Sequence, residues 1–182
     1  MSWQLDTAHS QVQFSVRHMM ITTVRGNFDK FSGTVSFDEK NLDKSVIDVT
    51  IEAASINTRE EKRDGHLMSP DFFDVAQFPT ITFKSKSVKV TGTNKGVVTG
   101  DLTVKGVTKE VALETEFVGI AKGPYGNVMA GFNAHTKINR KDWNLGWNVA
   151  LEAGGWLVGE EVTITLEIEL AQVPETAAAA TA

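Results

Sequence analysis

The amino-acid sequence predicts an all-β fold made of antiparallel strands. The apolar composition is the first indication, because 20 Val, 19 Thr and 9 Ile stand against 10 Leu among the 182 residues, and β-branched residues favour the pleated surface of a strand. The second indication is that apolar and polar residues alternate along several stretches, as in strands with one buried face. The third is that short turn sequences separate these stretches, which favours antiparallel neighbours.

The N-terminal half contains four alternating stretches. Residues 12–16 carry apolar side chains at the even positions, and residues 24–37 alternate with a phase change at residues 29–30. Such a change predicts a turn or a β-bulge, which lets a strand coil around a barrel. Residues 47–53 form the third stretch, and residues 81–90 form the fourth, with a second phase change.

The C-terminal half adds four more stretches. Residues 98–104 and 107–117 flank Lys105-Gly106 and predict a hairpin. A further strand follows the turn sequence at 124–127, and residues 162–170 show the most regular alternation in the chain. The sequence therefore predicts about eight strands.

Residues 58–73 interrupt the alternation and predict a short helical segment between two strands. Thr58 and Glu61 have the spacing of a capping box, in which the hydroxyl accepts from a backbone amide and the glutamate reaches back. The Ser-Pro pair at 69–70 predicts a second helical start, because Ser favours the N-cap and Pro the first helical position. The two phenylalanines that follow are expected to point inward.

Sequential antiparallel strands with short connections fit two architectures, a β-sandwich and a closed barrel. A barrel of about eight strands has an interior wide enough for packed side chains or for one elongated ligand. The strand pattern leaves both architectures open.

Composition excludes several classes of site and partner. The chain has no cysteine, which excludes disulfides, iron–sulfur clusters and cysteine-type zinc sites. A net charge of −5 argues against a nucleic-acid partner. The first residues show no signal-peptide pattern, so we expect a cytoplasmic protein. The Ala-rich residues 173–182 predict a disordered tail behind a domain that spans residues 1–172.

Three blocks of the sequence resemble the YceI family. The similarity runs from about Trp3 to Ala171 with the blocks in family order, and Met68 stands where the family usually has Arg. The N-terminal block comprises residues 6–10 (DTAHS), 14–20 (FSVRHMM) and 24–28 (VRGNF), the central block comprises residues 63–67 (RDGHL) and 71–75 (DFFDV), and the hairpin block comprises residues 100–108 (GDLTVKGVT).

The resemblance implies an extended eight-stranded antiparallel, lipocalin-like barrel with an elongated hydrophobic cavity. It implies non-catalytic binding of a long-chain isoprenoid or a similar amphiphilic lipid, such as a polyprenyl diphosphate, an isoprenoid quinone or a fatty-acid amide. The protein would then act as a carrier, store or sink. We expect no cofactor besides the bound lipid, no metal, a homodimer, and transient contact with membranes.

On such a barrel, inward-facing apolar side chains form the cavity wall and a few polar residues form its mouth. The predicted wall residues are Val12, Phe14, Val16, Met20, Phe28, Phe72, Phe73, Phe83 and Phe132. The predicted residues of the polar mouth are His18, Arg25, Asp64 and His66.

Each polar residue also has a structural interpretation. His18 continues the apolar face of its strand, where a histidine commonly has a structural role with its hydrogen bonds satisfied within the protein. Arg25 fits a solvated strand position. Asp64 and His66 fit hydrogen bonding within the helical segment. The alternative function is an enzyme that modifies an isoprenoid lipid with His18 or His66 as general base. A third possibility is a filled sandwich that serves as a protein-interaction module.

Residues 139–148 combine basic, acidic and aromatic side chains and resemble a family segment that precedes a loop. We interpret them as a loop held together by its own aromatic residues, with a ligand gate as the alternative.

Overall fold

The computed structural model describes residues 2–38 and 40–173. In these ranges the chain forms eleven β-strands and one α-helix, with short 3-10 helices at Leu42–Lys44, Ala53–Ser55 and Arg140–Trp143. The strands are β1 (Ser2–Leu5), β2 (Gln11–His18), β3 (Thr22–Phe28), β4 (Phe31–Ser36), β5 (Val46–Glu52), β6 (Ile56–Asn57), β7 (Thr80–Gly92), β8 (Lys95–Val104), β9 (Val107–Lys122), β10 (Val128–Asn139) and β11 (Val158–Val173), and the helix α1 (Glu61–Met68) lies between β6 and β7.

The strands form one closed antiparallel barrel. Strands β1 and β2 both pair with β11. On their other side, β1 pairs with β4 and β2 pairs with β3. In turn, β4 pairs with β5 and β3 pairs with β6. Each of the consecutive pairs β1–β2, β3–β4 and β5–β6 therefore acts as one barrel strand with a short break. Strands β7 to β11 complete the ring. The predicted eight-stranded antiparallel barrel is confirmed.

The predicted phase changes correspond to irregularities in the barrel strands. Residues 29–30 separate β3 from β4, and the pairing of β7 with β8 shifts register between Ser85 and Ser87. A break of this kind re-aims the side chains and bends the strand. The alternation in the sequence therefore located these bends correctly.

The helical segment is confirmed, but its predicted capping is wrong. The N-cap is Glu60, whose carboxylate accepts hydrogen bonds from the backbone amides of Lys62 and Arg63 at 3.2 and 2.6 Å. Thr58 is not the cap, because its hydroxyl and its amide both donate to the Asp64 carboxylate. The predicted second helix is also absent, since the residues after α1 form turns and the hydroxyl of Ser69 donates to a carbonyl at the end of α1.

The barrel has two distinct ends. The helix end carries α1, the β2–β3 turn, the β8–β9 turn and the loop of residues 140–157. The terminal end carries the start of β1, the end of β11, and the β7–β8 and β9–β10 turns. Of the predicted tail, Val173 is the last residue of β11, and residues 174–182 lie outside the described residues.

Candidate functional site

A cavity of about 700 Å³ lies inside the barrel and reaches both ends. Its wall is formed by the inward faces of the strands, and most of its lining side chains are aliphatic or aromatic. Volumes of this size are typical of sites that bind small molecules. The inward-facing residues therefore enclose space for a ligand as well as packing against one another.

Eight of the nine predicted wall residues line this cavity. They are Val12, Phe14, Val16, Phe28, Phe72, Phe73, Phe83 and Phe132. Met20 is the exception, because it lies in the β2–β3 turn with 63% of its surface exposed. The inward alternation of β2 ends at His18, so the prediction that Met20 belongs to the wall is corrected.

Aromatic rings concentrate at both ends of the wall. Toward the helix end, the ring of Phe28 lies 5.6 Å from that of Phe14 and 5.8 Å from that of Phe73. Toward the terminal end, the rings of Phe37 and Phe132 meet edge to face at 5.1 Å. Such ring pairs make the cavity wall rigid, so a flexible ligand would adapt its shape to the wall.

The two predicted mouth histidines both line the cavity at the helix end. His18 is half-buried and has no hydrogen-bond partner for its imidazole among the described residues. The Nε2 atom of His66 lies 2.8 Å from the Asp71 carboxylate, and its ring meets that of Trp147 edge to face at 4.6 Å. His18 is thus available to a ligand, whereas His66 is held in place by neighbouring groups.

The other two predicted mouth residues lie away from the cavity. Arg25 is exposed on the outer face of β3, because it pairs with Ser15 and both face away from the side that carries Val24. Asp64 accepts the two hydrogen bonds from Thr58 and does not line the cavity. The structure therefore corrects both positions: Arg25 is a solvated strand residue, and Asp64 ties α1 to the strand before it.

Sequence reasoning missed four cationic residues that line the helix end: Arg17, Lys62, Arg63 and Arg140. None of the described residues that line the cavity is Asp or Glu. The helix end of the cavity is therefore biased toward positive charge, although the chain as a whole carries −5. Hydrogen-bond acceptors and anions suit this end best.

Arg140 is the most deeply buried of these cations, with 3% of its surface exposed. Its guanidinium donates to four backbone carbonyls, those of Leu145, Trp147, Val158 and Gly159. Burial lowers the pKa of Arg140, while the charge of Glu160 opposes that shift. One signal for this position existed in the sequence, because Arg140 continues the inward even-numbered face of β10.

Two tryptophans hold the loop of residues 140–157 against the barrel. Trp143 is buried, and its Nε1 donates a 3.0 Å hydrogen bond to the carbonyl of Leu102 in β8. Trp147 lines the cavity and packs against Phe72 at 5.4 Å. The loop is therefore held by its own aromatic residues, as interpreted from the sequence, and it also supplies part of the cavity wall.

The cavity also reaches the surface at the terminal end. Val90 lines it there with 52% of its surface exposed, and the exposed Lys95 lies beside it on the neighbouring strand. Both residues are next to the β7–β8 turn. A bound molecule longer than the cavity would therefore have room to extend past this turn.

One group of potential metal ligands occurs among the described residues. Atoms of Asp6, His9 and Glu169 lie within 4.8 Å of one another. They sit on the outer wall, where His9 Nδ1 is 2.9 Å from Asp6 and 3.8 Å from Glu169. Hydrogen bonding and charge attraction account for this arrangement, which joins the β1–β2 break to β11.

No helix in the described ranges is both long and apolar enough to cross a bilayer.

Comparisons with known proteins agree with this architecture. A family model described as a YceI-like domain matches residues 3–170. The UPF0312 protein SA2479 of Staphylococcus aureus is 38% identical over 169 residues, which is 92% of this chain and 96% of that protein. Burkholderia cenocepacia BcnA has a similar crystal structure, with a TM-score of 0.79, 27% identity, and coverage of 91% of this chain and 98% of BcnA.

Two further crystal structures extend the comparison. The Campylobacter jejuni YCEI protein has a TM-score of 0.71 and 31% identity, covering 87% of this chain and 90% of that protein. A polyisoprenoid binding domain from Saccharophagus degradans has a TM-score of 0.68 and covers 96% of this chain and 99% of that domain, with 16% identity. That last likeness concerns the fold alone. The family match over nearly the whole chain and the 38% identical relative establish that this chain belongs to the YceI family.

Proposed function

We propose that this protein binds one long-chain isoprenoid, or a similar amphiphilic lipid, in the barrel cavity without changing it chemically. The observation that carries the proposal is the apolar cavity of about 700 Å³, with four cations at its helix end, the exposed Lys95 at its terminal end, and no carboxylate among its described lining residues. A domain described as polyisoprenoid binding has the same barrel fold, so this fold is compatible with that ligand class. A tail inside the barrel and an acceptor-rich head group at the helix end fit this polarity.

The cavity volume sets the length of chain that fits inside. A water molecule's share of liquid volume is about 30 Å³ and a methylene group is of similar size, so the cavity takes on the order of twenty chain carbons. An isoprenoid of four five-carbon units reaches this limit of about twenty carbons. Longer isoprenoids would leave the barrel past Val90 at the terminal end.

Energetics favour a carrier role over irreversible storage. Transfer of an apolar chain from water contributes about 0.8 kcal/mol per methylene, or roughly 4 kcal/mol per five-carbon unit. Ordering the flexible tail offsets a large part of this gain. A lipid that starts in a bilayer is already removed from water, so its transfer into the barrel is close to balanced. Near-balance permits both loading and release.

The head group meets groups that donate hydrogen bonds. His18 and Lys62 line the cavity and have no side-chain partner among the described residues, so both are free to contact a ligand. Arg17 and Arg63 already donate to neighbouring protein oxygens. Diphosphate, quinone and amide head groups all supply acceptor oxygens that suit these donors.

The test is a matched pair of substitutions on β10. Ala134 lines the cavity and is buried, whereas the neighbouring Asn133 is exposed on the outer face. Ala134→Phe should narrow the cavity and weaken binding of a geranylgeranyl lipid about tenfold or more, because the ring occupies space that the lipid would fill. Asn133→Phe should leave binding unchanged. Ala134→Leu provides a smaller step if the Phe variant unfolds.

Native mass spectrometry of the purified protein adds the direct readout. A co-purified lipid that disappears in Ala134→Phe and remains in Asn133→Phe supports the proposal. Equal lipid content in all three proteins contradicts it. Turnover of the bound lipid that His18→Gln or His66→Gln abolishes would instead establish the enzymatic alternative, in which one of these imidazoles is the base.

A further inference from the structure

Four exposed apolar residues lie beside the cavity mouth, three in one turn and the fourth in the loop that this turn contacts. Met19, Met20 and Ile21 occupy the β2–β3 turn with exposed fractions of 42%, 63% and 71%, and Trp156 of the neighbouring loop is 51% exposed. The amide of Met19 donates a 2.8 Å hydrogen bond to the carbonyl of Leu157. We call these four side chains the apolar rim. Exposed patches of this kind mark interaction sites.

The turn that displays the rim has an unfavourable backbone for its sequence. Met19 and Met20 both adopt left-handed conformations, with φ values of 51° and 62°, and the amide of Ile21 donates to the carbonyl of His18 at 3.1 Å. Turns with two left-handed central residues favour Asn-Gly, because side chains with a Cβ are disfavoured there. The chain therefore holds two large apolar side chains where folding alone favours small or polar residues.

The neighbouring loop is shaped around this turn. Gly155 has a φ of +92°, which favours glycine, and a Cβ built on it would collide with the sulfur of Met20. Met20 therefore rests directly against the Gly155 backbone, next to Trp156. On either side of the rim, His18 and Leu157 line the cavity. The rim and the lipid site are thus continuous.

Charge around the rim indicates the chemistry of its partner. The β2–β3 hairpin, residues 11–28, contains Arg17, Arg25 and His18 but no Asp or Glu. None of the ion pairs between described residues includes either arginine. The chain as a whole carries −5. Outside this hairpin the chain carries −7, so an anionic surface would attract the hairpin while it repels the chain as a whole.

We propose that the apolar rim docks onto a lipid bilayer that contains anionic lipid, so that the ligand passes between bilayer and cavity without crossing water. The proposal rests on the lipid-binding function proposed above. Met and Trp side chains insert at the boundary between head groups and acyl chains, and nearby arginines meet the anionic head groups. Apolar insertion and charge attraction together provide two signals, and two signals bind a membrane more stably than either one alone.

The decisive variant replaces the turn by its preferred sequence. Met19→Asn/Met20→Gly removes both apolar side chains and fits the left-handed backbone, so the thermal midpoint should stay equal or rise. Its matched control is Tyr125→Ser, which removes a 96% exposed aromatic residue from the β9–β10 turn at the opposite end. Both are compared with the unmodified protein by co-sedimentation with phosphatidylcholine vesicles, with and without phosphatidylglycerol.

The unmodified protein and Tyr125→Ser should bind the phosphatidylglycerol vesicles equally, and Met19→Asn/Met20→Gly should bind about tenfold more weakly. Arg17→Gln/Arg25→Gln should reduce the preference for phosphatidylglycerol over phosphatidylcholine. Glu152 is the acidic residue in the loop of residues 149–157, and its charge is repelled by anionic lipid. Glu152→Gln should therefore strengthen binding to the phosphatidylglycerol vesicles. Equal vesicle binding by the rim variant and the unmodified protein would overturn the proposal.

Two further measurements distinguish bilayer docking by the rim from lipid uptake by the cavity and from dimerisation. Uptake of a geranylgeranyl lipid from detergent micelles should be the same in the rim variant and the unmodified protein, because the cavity is intact. Failure of uptake in both would refute the lipid-binding function, while vesicle binding would still report on the rim. A dimer that is lost specifically in the rim variant would assign the rim to a second copy of this chain and overturn the proposal.

Discussion

The Nε atom of Arg140 donates a 2.8 Å hydrogen bond to the carbonyl oxygen of Gly159, which joins the residue after β10 to the start of β11. The same guanidinium donates to two carbonyls in the loop between these strands, those of Leu145 and Trp147, and to the carbonyl of Val158, the first residue of β11. One buried cation therefore organises the loop that carries Trp147 and Trp156. Arg140 therefore fixes the shape of the cavity mouth together with Trp143 and Trp147, which pack the same loop against the barrel.

Replacement of Arg140 should be strongly destabilising. A buried acceptor left without its donor costs about 1–3 kcal/mol, so Arg140→Met should lower the free energy of unfolding by about 3 kcal/mol or more. Lys141→Met is the adjacent control, because Lys141 pairs with Glu160 at the surface and such pairs contribute about 0.2–1 kcal/mol. Urea denaturation measures both. A smaller loss for Arg140→Met than for Lys141→Met would contradict the organising role of Arg140.

Two glycines should respond to alanine with opposite signs. A Cβ on Gly26 would lie 2.5 Å from the Phe14 ring and 2.8 Å from Thr58, whereas a Cβ on Gly65 in α1 would have no neighbour within 4 Å. Gly26→Ala should destabilise by about 1–3 kcal/mol by overpacking, and Gly65→Ala should stabilise by roughly 0.5–1 kcal/mol. Thermal denaturation distinguishes the two. Equal shifts would show that Phe14 moves freely into the cavity.

The terminal-end opening should control the longest ligand that binds. Val90→Trp places a bulky ring where the cavity reaches the surface, so lipids longer than about twenty carbons should bind roughly tenfold more weakly while shorter ones are unaffected. Val118→Trp is the control, because Val118 is exposed and does not line the cavity. Titration with an isoprenoid series of increasing length measures the effect. A loss that is equal for all lengths would argue against a through-passage.

The pair of Asp6 and His9 should make stability depend on pH. The hydrogen bond that the His9 imidazole donates to the Asp6 carboxylate raises the pKa of His9, with further contributions from the charges of Asp6 and Glu169, and the same hydrogen bond lowers the pKa of Asp6. The contribution of His9 is therefore complete below its unfolded pKa of about 6.5 and is lost as the pH rises through the raised folded value. The contribution of Asp6 is present above about pH 4 and is lost in acid.

His9→Gln should consequently lower the urea midpoint more at pH 6 than at pH 9. In an Asp6→Asn background the same substitution should show a smaller pH dependence, because Glu169 alone remains near the imidazole. A midpoint difference that is constant from pH 6 to pH 9 would contradict this account.

The inward faces of the strands could be predicted from the sequence because side chains alternate with a period of two. Val12, Phe14 and Val16 all line the cavity for this reason. The same alternation already placed Arg25 opposite Val24 and Gly26, and the structure shows it exposed. The family resemblance predicted the fold correctly. Most of the predicted wall residues line the cavity, whereas Met20, Arg25 and Asp64 do not.

Other features depend on contacts between distant parts of the chain. Arg140 donates to the carbonyl of Gly159, 19 residues further along the chain. No periodic pattern encodes such contacts, since they require the loop to fold back onto the barrel. The apolar rim is similar, because Met20 and Trp156 become neighbours only when β2 and β11 pair.

The sequence by itself therefore determined the antiparallel strands, the direction in which most side chains point, and the place of the helical segment. These properties follow from local periodicity and turn chemistry. Tertiary structure decided that eight strands close around an open cavity, which residues reach its mouth, and that cations and apolar side chains meet there. Closure and the cavity are set by strand register and by contacts between distant residues, so they exist only in the folded barrel.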